Sequence, residues 1–390
     1  MGRLSTDALR GRSTCHRWQA EPRHKTRLLP LKRTDLAASA RLKTGLDLAR
    51  NGLPRYSGAP MDALGEPPLN VMHDETCAGV GVGSGKVILL GEHAVVYGQP
   101  ALAASLERGV IATAQNAEKW SLHIGRWNLT VVPRDTEGAE PIERAFAGVV
   151  RTLGGTPLAL DVLLQLPSAA GLGCSAAIGV AVIESVARAQ GGALDRATLS
   201  ELARRWDGHF HGKASGVDSA VATYGGVGVY SLESGWEDVV PGQALPLVIA
   251  HSGEQSATSD LVTKVGAARQ ADTERVDAIF TRVGQLTRLG AQALERGHLA
   301  ALGDLMNENH ALLRTLDLST PALEMLRTVA LDSGAYGAKV TGAGGGGCLV
   351  VLARHETKLP SLEAALRRHS RHVFSTIIGA EPFASCEASA

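Results

Sequence analysis

The chain has 390 residues, of which 44% are hydrophobic and 4% aromatic, and this is more material than one compact core usually holds. Two domains are therefore expected. Lysine plus arginine and aspartate plus glutamate both number 39, so the formal net charge is zero and nothing in the overall charge favours a nucleic-acid partner.

The first 71 residues differ from the rest of the chain. They show no sustained apolar period, and residues 1–60 carry 13 lysines or arginines against four acidic residues. This composition fits an organellar transit peptide, but it also fits a disordered extension or a protein that begins at Met72. We predict that residues 1–71 are an extension or a mis-assigned start, and the transit peptide stays open.

From residue 77 onward, short apolar runs alternate with helical patterns. The predicted strands are 86–90, 129–132, 158–166, 338–341, 348–352 and 371–378. The predicted helices are 174–190, 195–206, 269–297, 299–315, 320–333 and 360–369. Because strands and helices mix without a regular βαβ repeat, an α+β fold is favoured. Pro241-Gly242 is the strongest candidate boundary, which gives domains at 72–240 and 241–390.

Two features predict a cytoplasmic protein without a membrane span. The cysteines form no C-x-x-C pair and no metal-ligand spacing, which is typical of reduced thiols in the cytosol. They lie at Cys15, Cys77, Cys174, Cys348 and Cys386. The uncharged run 166–183 reaches the length of a membrane span, but Pro167, three glycines and several alanines keep its hydropathy modest.

The chain carries three glycine-rich segments, and the first only superficially matches a phosphate-binding P-loop. Residues 79–86 end in Lys86, but Val80 occupies the position of the first P-loop glycine and Val87 that of the serine or threonine. The glycines also precede a predicted strand instead of joining a strand to a helix. A P-loop is therefore not expected here.

The third segment, residues 341–347, contains a formal G-x-G-x-x-G but precedes the apolar run 348–352. A dinucleotide fingerprint has to open a helix, because the pyrophosphate binds the N-terminal amides of that helix, so this interpretation is weak. Four consecutive glycines suit a loop that is pressed against a ligand or another loop. A purely structural turn is the alternative.

The second segment, residues 166–177, lies between a predicted strand and the helix that begins near Cys174. Its small residues let the backbone wrap an anion, and the first-turn amides together with the helix dipole favour a bound triphosphate. Ser175 would offer its hydroxyl to a magnesium ion. A tightly packed helix of small residues is the alternative.

Asp207 and Asp218 are candidates for a metal ligand and a general base, which phosphoryl transfer uses beside its positioned phosphates. Asp218 lies in Ser-Gly-Val-Asp-Ser at a predicted helix start, where aspartate is often only a cap. Asp207 could equally be a solvated surface acid. The histidines His93, His209 and His211 show no metal-binding pattern, and magnesium prefers oxygen ligands.

Four segments occur in the order found in the GHMP kinases, and the chain resembles that family over about residues 77–380. The first is Gly85-Lys-Val-Ile-Leu-Leu-Gly-Glu-His-Ala-Val-Val-Tyr-Gly98, whose Glu-His-Ala-Val is similar to the mevalonate kinase branch and differs from the Glu-His-Thr-Asp of galactokinases. The others are Pro-x-x-x-Gly-Leu-Gly-x-Ser-Ala-Ala at 167–177, His211-Gly-x-x-Ser-Gly-Val-Asp218 and Val340-Thr-Gly-Ala-Gly-Gly-Gly-Gly347.

The resemblance implies a role for each matched residue. Lys86 would lower the pKa of the acceptor hydroxyl, and Asp218 would take its proton as the catalytic base. Asp207 falls where the family has a glutamate that binds magnesium, and Ser175 would be the second ligand. The phosphates of ATP would be held by Lys86, Ala169, Ala170, Gly171, Leu172, Gly173, Cys174 and Ser175. The substrate pocket would be lined by Glu92, His93, Ser215 and Thr258.

The sequence departs from the family pattern at several positions. Asp207 is one methylene shorter than glutamate, so its magnesium contact would run through a water molecule. Cys174 replaces a serine, Ala214 a proline and Ser219 an asparagine, and Ile178 stands where some relatives have tyrosine. None of these changes removes a charged group, so we expect the protein to keep kinase activity. The family pattern predicts the substrate less firmly than it predicts the reaction.

The resemblance implies the two-domain GHMP kinase fold, with an N-terminal domain like ribosomal protein S5 domain 2 and a ferredoxin-like C-terminal domain. The expected reaction is magnesium-dependent transfer of the ATP γ-phosphoryl group to the 5-hydroxyl of (R)-mevalonate, for isoprenoid synthesis. The alternatives are a sibling kinase acting on phosphomevalonate or a sugar, and a sensor that binds ATP without turnover. ATP and mevalonate are the expected partners, without nucleic acid or membrane, and a homodimer is left open.

Overall fold

The structure is a computed structural model, which describes residues 79–167, 170–211, 215–255, 257–370 and 372–379, without the side chain of His211. Residues 1–71, for which the sequence predicts an extension or a mis-assigned start, lie outside the described part. Ala169 and Ala214 lie outside it as well.

The described residues mix helices and strands along the chain, as an α+β fold requires. The strands are β1 (Val80–Leu90), β2 (Ala101–Asn116), β3 (Ser121–Ile124), β4 (Leu129–Val131), β5 (Leu158–Leu164), β6 (Val227–Ser231), β7 (Gly235–Asp238), β8 (Leu245–His251), β9 (Gly337–Thr341), β10 (Cys348–Leu352) and β11 (Val373–Ile378). The helices are α1 (Pro141–Leu153), α2 (Cys174–Ala189), α3 (Arg196–His211), α4 (Val217–Tyr224), α5 (Thr258–Ala271), α6 (Thr273–Glu295), α7 (Leu299–Arg314), α8 (Pro321–Asp332) and α9 (Leu359–Leu366).

The first sheet is built around the long strand β2. Its strand order is β4-β3-β5-β2-β6-β7, with β1 paired to β2 as a further strand. β2 pairs antiparallel with β1 along one side and with β5 and then β6 along the other. Among the described strands β1 pairs with β2 alone, so the backbone groups on its second edge need partners from elsewhere.

Helix α2 lies directly on β1 because the strand has glycines at the contact. A Cβ atom at Gly81 would lie 2.0 Å from the carbonyl oxygen of Ala181, and one at Gly83 would lie 2.1 Å from that of Ala177. Glycine inside a strand often marks such a close backbone approach. The strand therefore begins at Val80, earlier than predicted, and these glycines lie inside it and not before it.

The second sheet is antiparallel throughout and has the order β11-β8-β10-β9. Its outer strand β9 is covered by polar side chains of α7. The amide of Ala338 donates to Asn307 Oδ1 at 3.2 Å, and the amide of Val340 donates to His310 Nδ1 at 3.3 Å. These hydrogen bonds satisfy backbone amides at an edge that could otherwise pair with another strand.

The two sheets divide the described chain at the place where the sequence predicts a domain boundary. The strands of the first sheet end with β7, and those of the second begin with β8, so the residues between them include Pro241-Gly242. The boundary between 72–240 and 241–390 itself stays a prediction.

The predicted helix 269–297 corresponds to α6, but its predicted start is wrong because it runs into the end of the preceding helix, α5. α5 ends at Ala271 and α6 begins at Thr273. Asp272 between them has a φ of −149°, and its carboxylate accepts a hydrogen bond from the amide of Arg275 at 3.1 Å. Asp272 is therefore the N-cap of α6, and the helical period on both sides of it hides the break.

Several elements were not predicted at all, and β2 is the longest of them. It begins Ala-Leu-Ala-Ala-Ser-Leu-Glu-Arg, a composition that favours helix and shows no strict alternation. Strand neighbours on both sides override this preference. The other unpredicted elements are β3, α1, β6, β7, β8 and nearly all of α5.

Within the described part of the chain, none of the helices combines the length and the apolar character that crossing a bilayer requires. The uncharged run 166–183 ends in α2, which packs on β1.

We predict that Gly83→Ala destabilises the fold by about 1–3 kcal/mol, because the added methyl would overlap the carbonyl oxygen of Ala177. Urea unfolding followed by circular dichroism measures the change. The matched control is Gly192→Ala, where the nearest atom would be 3.5 Å away, an ordinary contact. Equal unfolding midpoints for the two variants would contradict the packing argument.

Candidate active site

Lys86 on β1 and Asp218 in the first turn of α4 form an ion pair, although they are distant in the sequence. The Lys86 Nζ and Asp218 Oδ1 atoms are 3.1 Å apart. The lysine side chain is 3% exposed and the aspartate side chain 31%. The pair thus combines a buried cation with a carboxylate that a small molecule can reach.

The second glycine-rich segment passes over this ion pair. The amide of Lys86 donates a hydrogen bond to the carbonyl oxygen of Leu172 at 3.0 Å. A Cβ atom at Gly173 would lie 2.8 Å from Lys86 Cγ and 3.7 Å from Asp218 Oδ2. Gly173 has a φ of 74°, and α2 begins at the next residue, Cys174. Glycine is required here because a side chain would be strained and would strike the lysine.

The start of α2 offers an anion-binding site next to the ion pair. First-turn amides have no acceptor within their helix, and the helix dipole adds positive charge there. Ser175 is 6% exposed, and its Oγ atom has no hydrogen-bond partner within the described ranges. A ligand or an ion could supply the partner that this buried hydroxyl has not found within the protein. Ala170, Gly171 and Leu172 lead into this turn.

The cysteine of this turn has an unreactive thiol. Cys174 is buried, and burial raises the pKa of its thiol to about 12. The thiol is therefore protonated at neutral pH and behaves as a small apolar group. As a result, Ser175 is the hydroxyl that the first turn of α2 presents.

Asp207 lies on α3 and is 5% exposed. Its neighbour Trp206 donates its indole N–H to the carbonyl oxygen of Ser175 at 3.1 Å, which holds α3 against the start of α2. Among the residues that the structure describes, no three Asp, Glu, His or Cys side chains form a metal-binding cluster. A magnesium ion at this place would depend on phosphate oxygens for several of its ligands, which is how magnesium is commonly bound.

Glu92 is enclosed in the protein. It is 1% exposed; one carboxylate oxygen binds the ammonium group of Lys339, and the other accepts a hydrogen bond from Asn309 Nδ2 at 3.1 Å. Both oxygens are thus engaged and neither is at the surface. This geometry supports an indirect role for Glu92, behind the side chains that a substrate would contact.

His93 joins the first motif to the third. Its Nε2 atom lies 2.8 Å from the carbonyl oxygen of Ala343. Burial lowers the pKa of the imidazole, so the neutral ring donates its Nε2 proton to that carbonyl. His93 also has a φ of 60°, which is uncommon outside glycine and costs about 1–3 kcal/mol, so the surrounding contacts must hold it in place.

The two remaining predicted substrate residues lie at helix starts. Ser215 precedes α4, and its Oγ atom accepts a hydrogen bond from the amide of Val217 at 3.4 Å, next to Asp218. Thr258 is the first residue of α5 and is half-buried. Ser215 is thus bonded to the first turn of the helix that carries Asp218, while no hydrogen bond within the described residues connects Thr258 to the ion pair.

The third glycine-rich segment packs against the second, backbone to backbone. A Cβ atom at Gly342 would lie 3.1 Å from the carbonyl oxygen of Gly171, and one at Gly347 would lie 3.2 Å from that of Ala170. Gly342 and Gly347 both have φ values in the left-handed region. Of the alternatives left by the sequence, a loop pressed against another loop describes this arrangement.

Three side chains beside the site were missed in the sequence: Lys339, Thr341 and Asn309. Lys339 is 0% exposed and lies on β9, whose residues are all buried. The sequence could have indicated Lys339, because it is a single lysine in a short apolar strand that leads into a glycine loop. Lysine is almost never fully buried without a partner, so such a position predicts a buried ion pair. No comparable signal marks Asn309 on the helix α7.

Two family models and several known proteins match this chain. The GHMP kinases N terminal domain model matches residues 141–226, and the GHMP kinases C terminal model matches residues 291–372. The mevalonate kinase of Thermococcus gammatolerans is 32% identical over 292 residues, which is 69% of this chain and 87% of that protein. That of Pyrococcus horikoshii is 33% identical over 291 residues, or 69% of this chain and 86% of that protein.

Solved structures of related proteins also match this chain. The crystal structure of L. major mevalonate kinase in complex with R-mevalonate superimposes with a TM-score of 0.68 and 26% identity, covering 79% of this chain and 97% of that one. The expected α+β fold of the GHMP kinases is confirmed. The chain therefore belongs to the GHMP kinase family and, within it, to the mevalonate kinases.

Proposed function

We propose that this chain transfers the γ-phosphoryl group of ATP to the 5-hydroxyl of (R)-mevalonate, giving 5-phosphomevalonate and ADP. The observation that carries the proposal is the Lys86–Asp218 ion pair beneath Gly173, at the start of α2. A base, a cation and an anion-binding helix end occur there together. They are the components that phosphoryl transfer to an alcohol requires.

In the proposed reaction, the oxygen of the 5-hydroxyl forms a bond to the γ-phosphorus, and the bond from that phosphorus to the β,γ-bridging oxygen breaks. The electron pair of the broken bond leaves with ADP. The hydroxyl proton passes to the partly exposed carboxylate of Asp218, and the ammonium group of Lys86 stabilises the negative charge that develops on the transferring group. Because Lys86 is buried, its charge acts through a medium of low polarity and has a stronger effect than in water.

The phosphates of ATP would bind the turn that leads into α2. Ala170 to Ser175 would supply backbone amides, and the same role is proposed for Ala169. Ser175 and Asp207 would hold a magnesium ion, which fits the unpartnered hydroxyl of Ser175 and the buried position of Asp207. When bound, the ion would neutralise phosphate charge.

Within the substrate pocket we propose direct contacts from His93, Ser215 and Thr258. Glu92 would contribute from behind, because its carboxylate is engaged by Lys339 and Asn309. The free and buried thiols of Cys174 and Cys348 are compatible with the proposal that the protein works in the cytoplasm. A homodimer stays a prediction.

A sibling kinase acting on phosphomevalonate or a sugar is the second candidate function, because Ala214, Ser219 and Ile178 depart from the family pattern. A panel of mevalonate, phosphomevalonate and galactose, with magnesium-dependent ADP release as the readout, separates the candidates. Release with mevalonate supports the first proposal. Release only with another alcohol would replace it, and release with none would support a sensor.

We predict that Asp218→Asn lowers kcat for mevalonate at least ~100-fold, or roughly 2.7 kcal/mol, because the amide cannot accept the hydroxyl proton. Steady-state kinetics with coupled detection of ADP measures the effect. Asp304→Asn, an exposed carboxylate on α7, is the control and should keep the full rate. A rate for Asp218→Asn within twofold of the wild type would remove Asp218 from the base role.

We predict that Gly173→Ala lowers kcat roughly 100-fold, because the new methyl group would displace Lys86 from its position beside Asp218. Gly191→Ala is a matched control, since Gly191 has a φ of 79° and nothing within 4 Å of the new Cβ atom. Both variants carry the same left-handed strain, roughly 1–2 kcal/mol. If both variants retain equal activity, the steric argument at Lys86 is wrong.

A further inference from the structure

We propose that Lys339 is a positioning residue for the phosphoryl transfer: its buried ammonium group, paired with Glu92, fixes the strand that carries Lys86. This inference rests on the proposed function, and it concerns a residue that has no part in the catalytic or phosphate-binding roles described above. Lys339 has no exposed surface, so it acts through its neighbours and does not touch the substrate.

The ammonium group of Lys339 has protein partners on several sides. It binds Glu92 Oε1, and it donates hydrogen bonds to the carbonyl oxygen of Val340 at 2.6 Å and to that of Ile88 at 3.4 Å. An ammonium group has three protons to donate, so these partners account for all of them. The second oxygen of Glu92 is held by Asn309 of α7.

These contacts reach the outer edge of β1, close to Lys86. Because β1 pairs with β2 alone among the described strands, its other edge has to find partners outside the sheet. The amide of Lys86 finds the carbonyl oxygen of Leu172. Two residues on, the amide of Ile88 donates to Thr341 Oγ1 at 2.8 Å, and its carbonyl oxygen accepts from Thr341 Oγ1 at 3.2 Å as well as from Lys339.

Side chains of β9 therefore take the place of a second neighbouring strand for β1. Lys339 and Thr341 are two residues apart on β9, so their side chains point the same way, and both bind Ile88 at the outer edge of β1. Lys86 cannot shift along this edge without breaking the hydrogen bonds at Ile88. The position of the reactive lysine is thus set by a strand of the other sheet.

The two buried lysines also have separate ion-pair partners. Lys86 and Lys339 are both buried cations, and each has its own carboxylate, Asp218 and Glu92. Burial raises the pKa of the Glu92 carboxyl, and the ammonium group of Lys339 opposes that shift. Lys339 therefore favours the ionised form of Glu92 inside the protein, where the two groups form an ion pair.

A buried ion pair contributes little to stability when it is compared with apolar residues of similar shape, but breaking one half of it is strongly destabilising. This asymmetry provides a test that separates positioning from folding. Lys339→Met and Glu92→Gln each leave one charge unpaired, whereas the double variant Lys339→Met/Glu92→Gln leaves none. The double variant should therefore recover much of the stability that Lys339→Met loses.

If Lys339 positions Lys86, turnover does not recover together with stability. We expect the double variant to unfold near the wild-type midpoint in urea, while its kcat stays roughly 10- to 100-fold below that of the wild type. Its KM for ATP should stay within about twofold, because the phosphate-binding turn is intact. Lys264→Met is the matched control, since Lys264 also has an ion-pair partner, Asp317, but is 47% exposed, and we expect it to keep the wild-type kcat.

The wild-type chain is assayed first with mevalonate and ATP. Absence of turnover by the wild type is a failure of the proposed function. Full kcat in a double variant that is folded would overturn the role of Lys339 and leave the proposed function standing. If the double variant fails to fold, Thr341→Val serves as the second test, because it removes only the hydroxyl at Ile88. A lowered kcat with unchanged KM for ATP then supports the edge contact, and an unchanged kcat contradicts it.

Discussion

The arrangement of Lys86, Asp218 and Gly173 sets the conditions that the rest of the structure has to meet. A buried ammonium group lies 3.1 Å from a partly exposed carboxylate, and a Cβ atom at Gly173 would come within 4 Å of both side chains. Each of the three comes from a different element: β1, α4 and the turn before α2. The chain therefore has to place a strand and two helix starts within a few ångströms of one another, and to keep them there.

The rigid part of this arrangement is the contact between β1 and α2. Its closeness depends on Gly81 and Gly83, which let helix carbonyl groups approach the strand where a methyl group would not fit. As a result, the strand that carries Lys86 and the helix that would bind the phosphates pack directly against each other. The remaining edge of β1 is held by the side chains of Lys339 and Thr341 from the second sheet. The residues proposed for catalysis thus depend on both sheets.

The sequence predicted those parts of the fold whose patterns are local. β9 and β10 have the predicted positions within one residue, and α2 and α7 within one residue at each end, because apolar runs and helical periods mark them. β2 was missed because its alanine-rich composition contradicts its state, which pairing on both sides decides. The break at Asp272 was missed because one capping residue separates two helices of similar pattern.

For the candidate site, the residue types and motif order identified the family, but distances between motifs are not encoded in any local pattern. The proximity of Lys86 and Asp218 was an assumption that followed from the resemblance. The enclosure of Glu92 could not be predicted, because its partners Lys339 and Asn309 belong to elements more than two hundred positions away. A carboxylate in a motif looks the same in the sequence whether it faces a ligand or an internal lysine.

The hydrogen bond from Ile88 to Thr341 spans 253 positions, and this separation has a consequence for synthesis on the ribosome. At ~5–20 residues per second, β1 emerges roughly 10 to 50 s before the residues that complete its outer edge. During that interval the nascent polypeptide presents an unpaired strand edge, which is a template for unwanted association. Chaperones that shield emerging strands would therefore act on this edge before the enzyme has a working site.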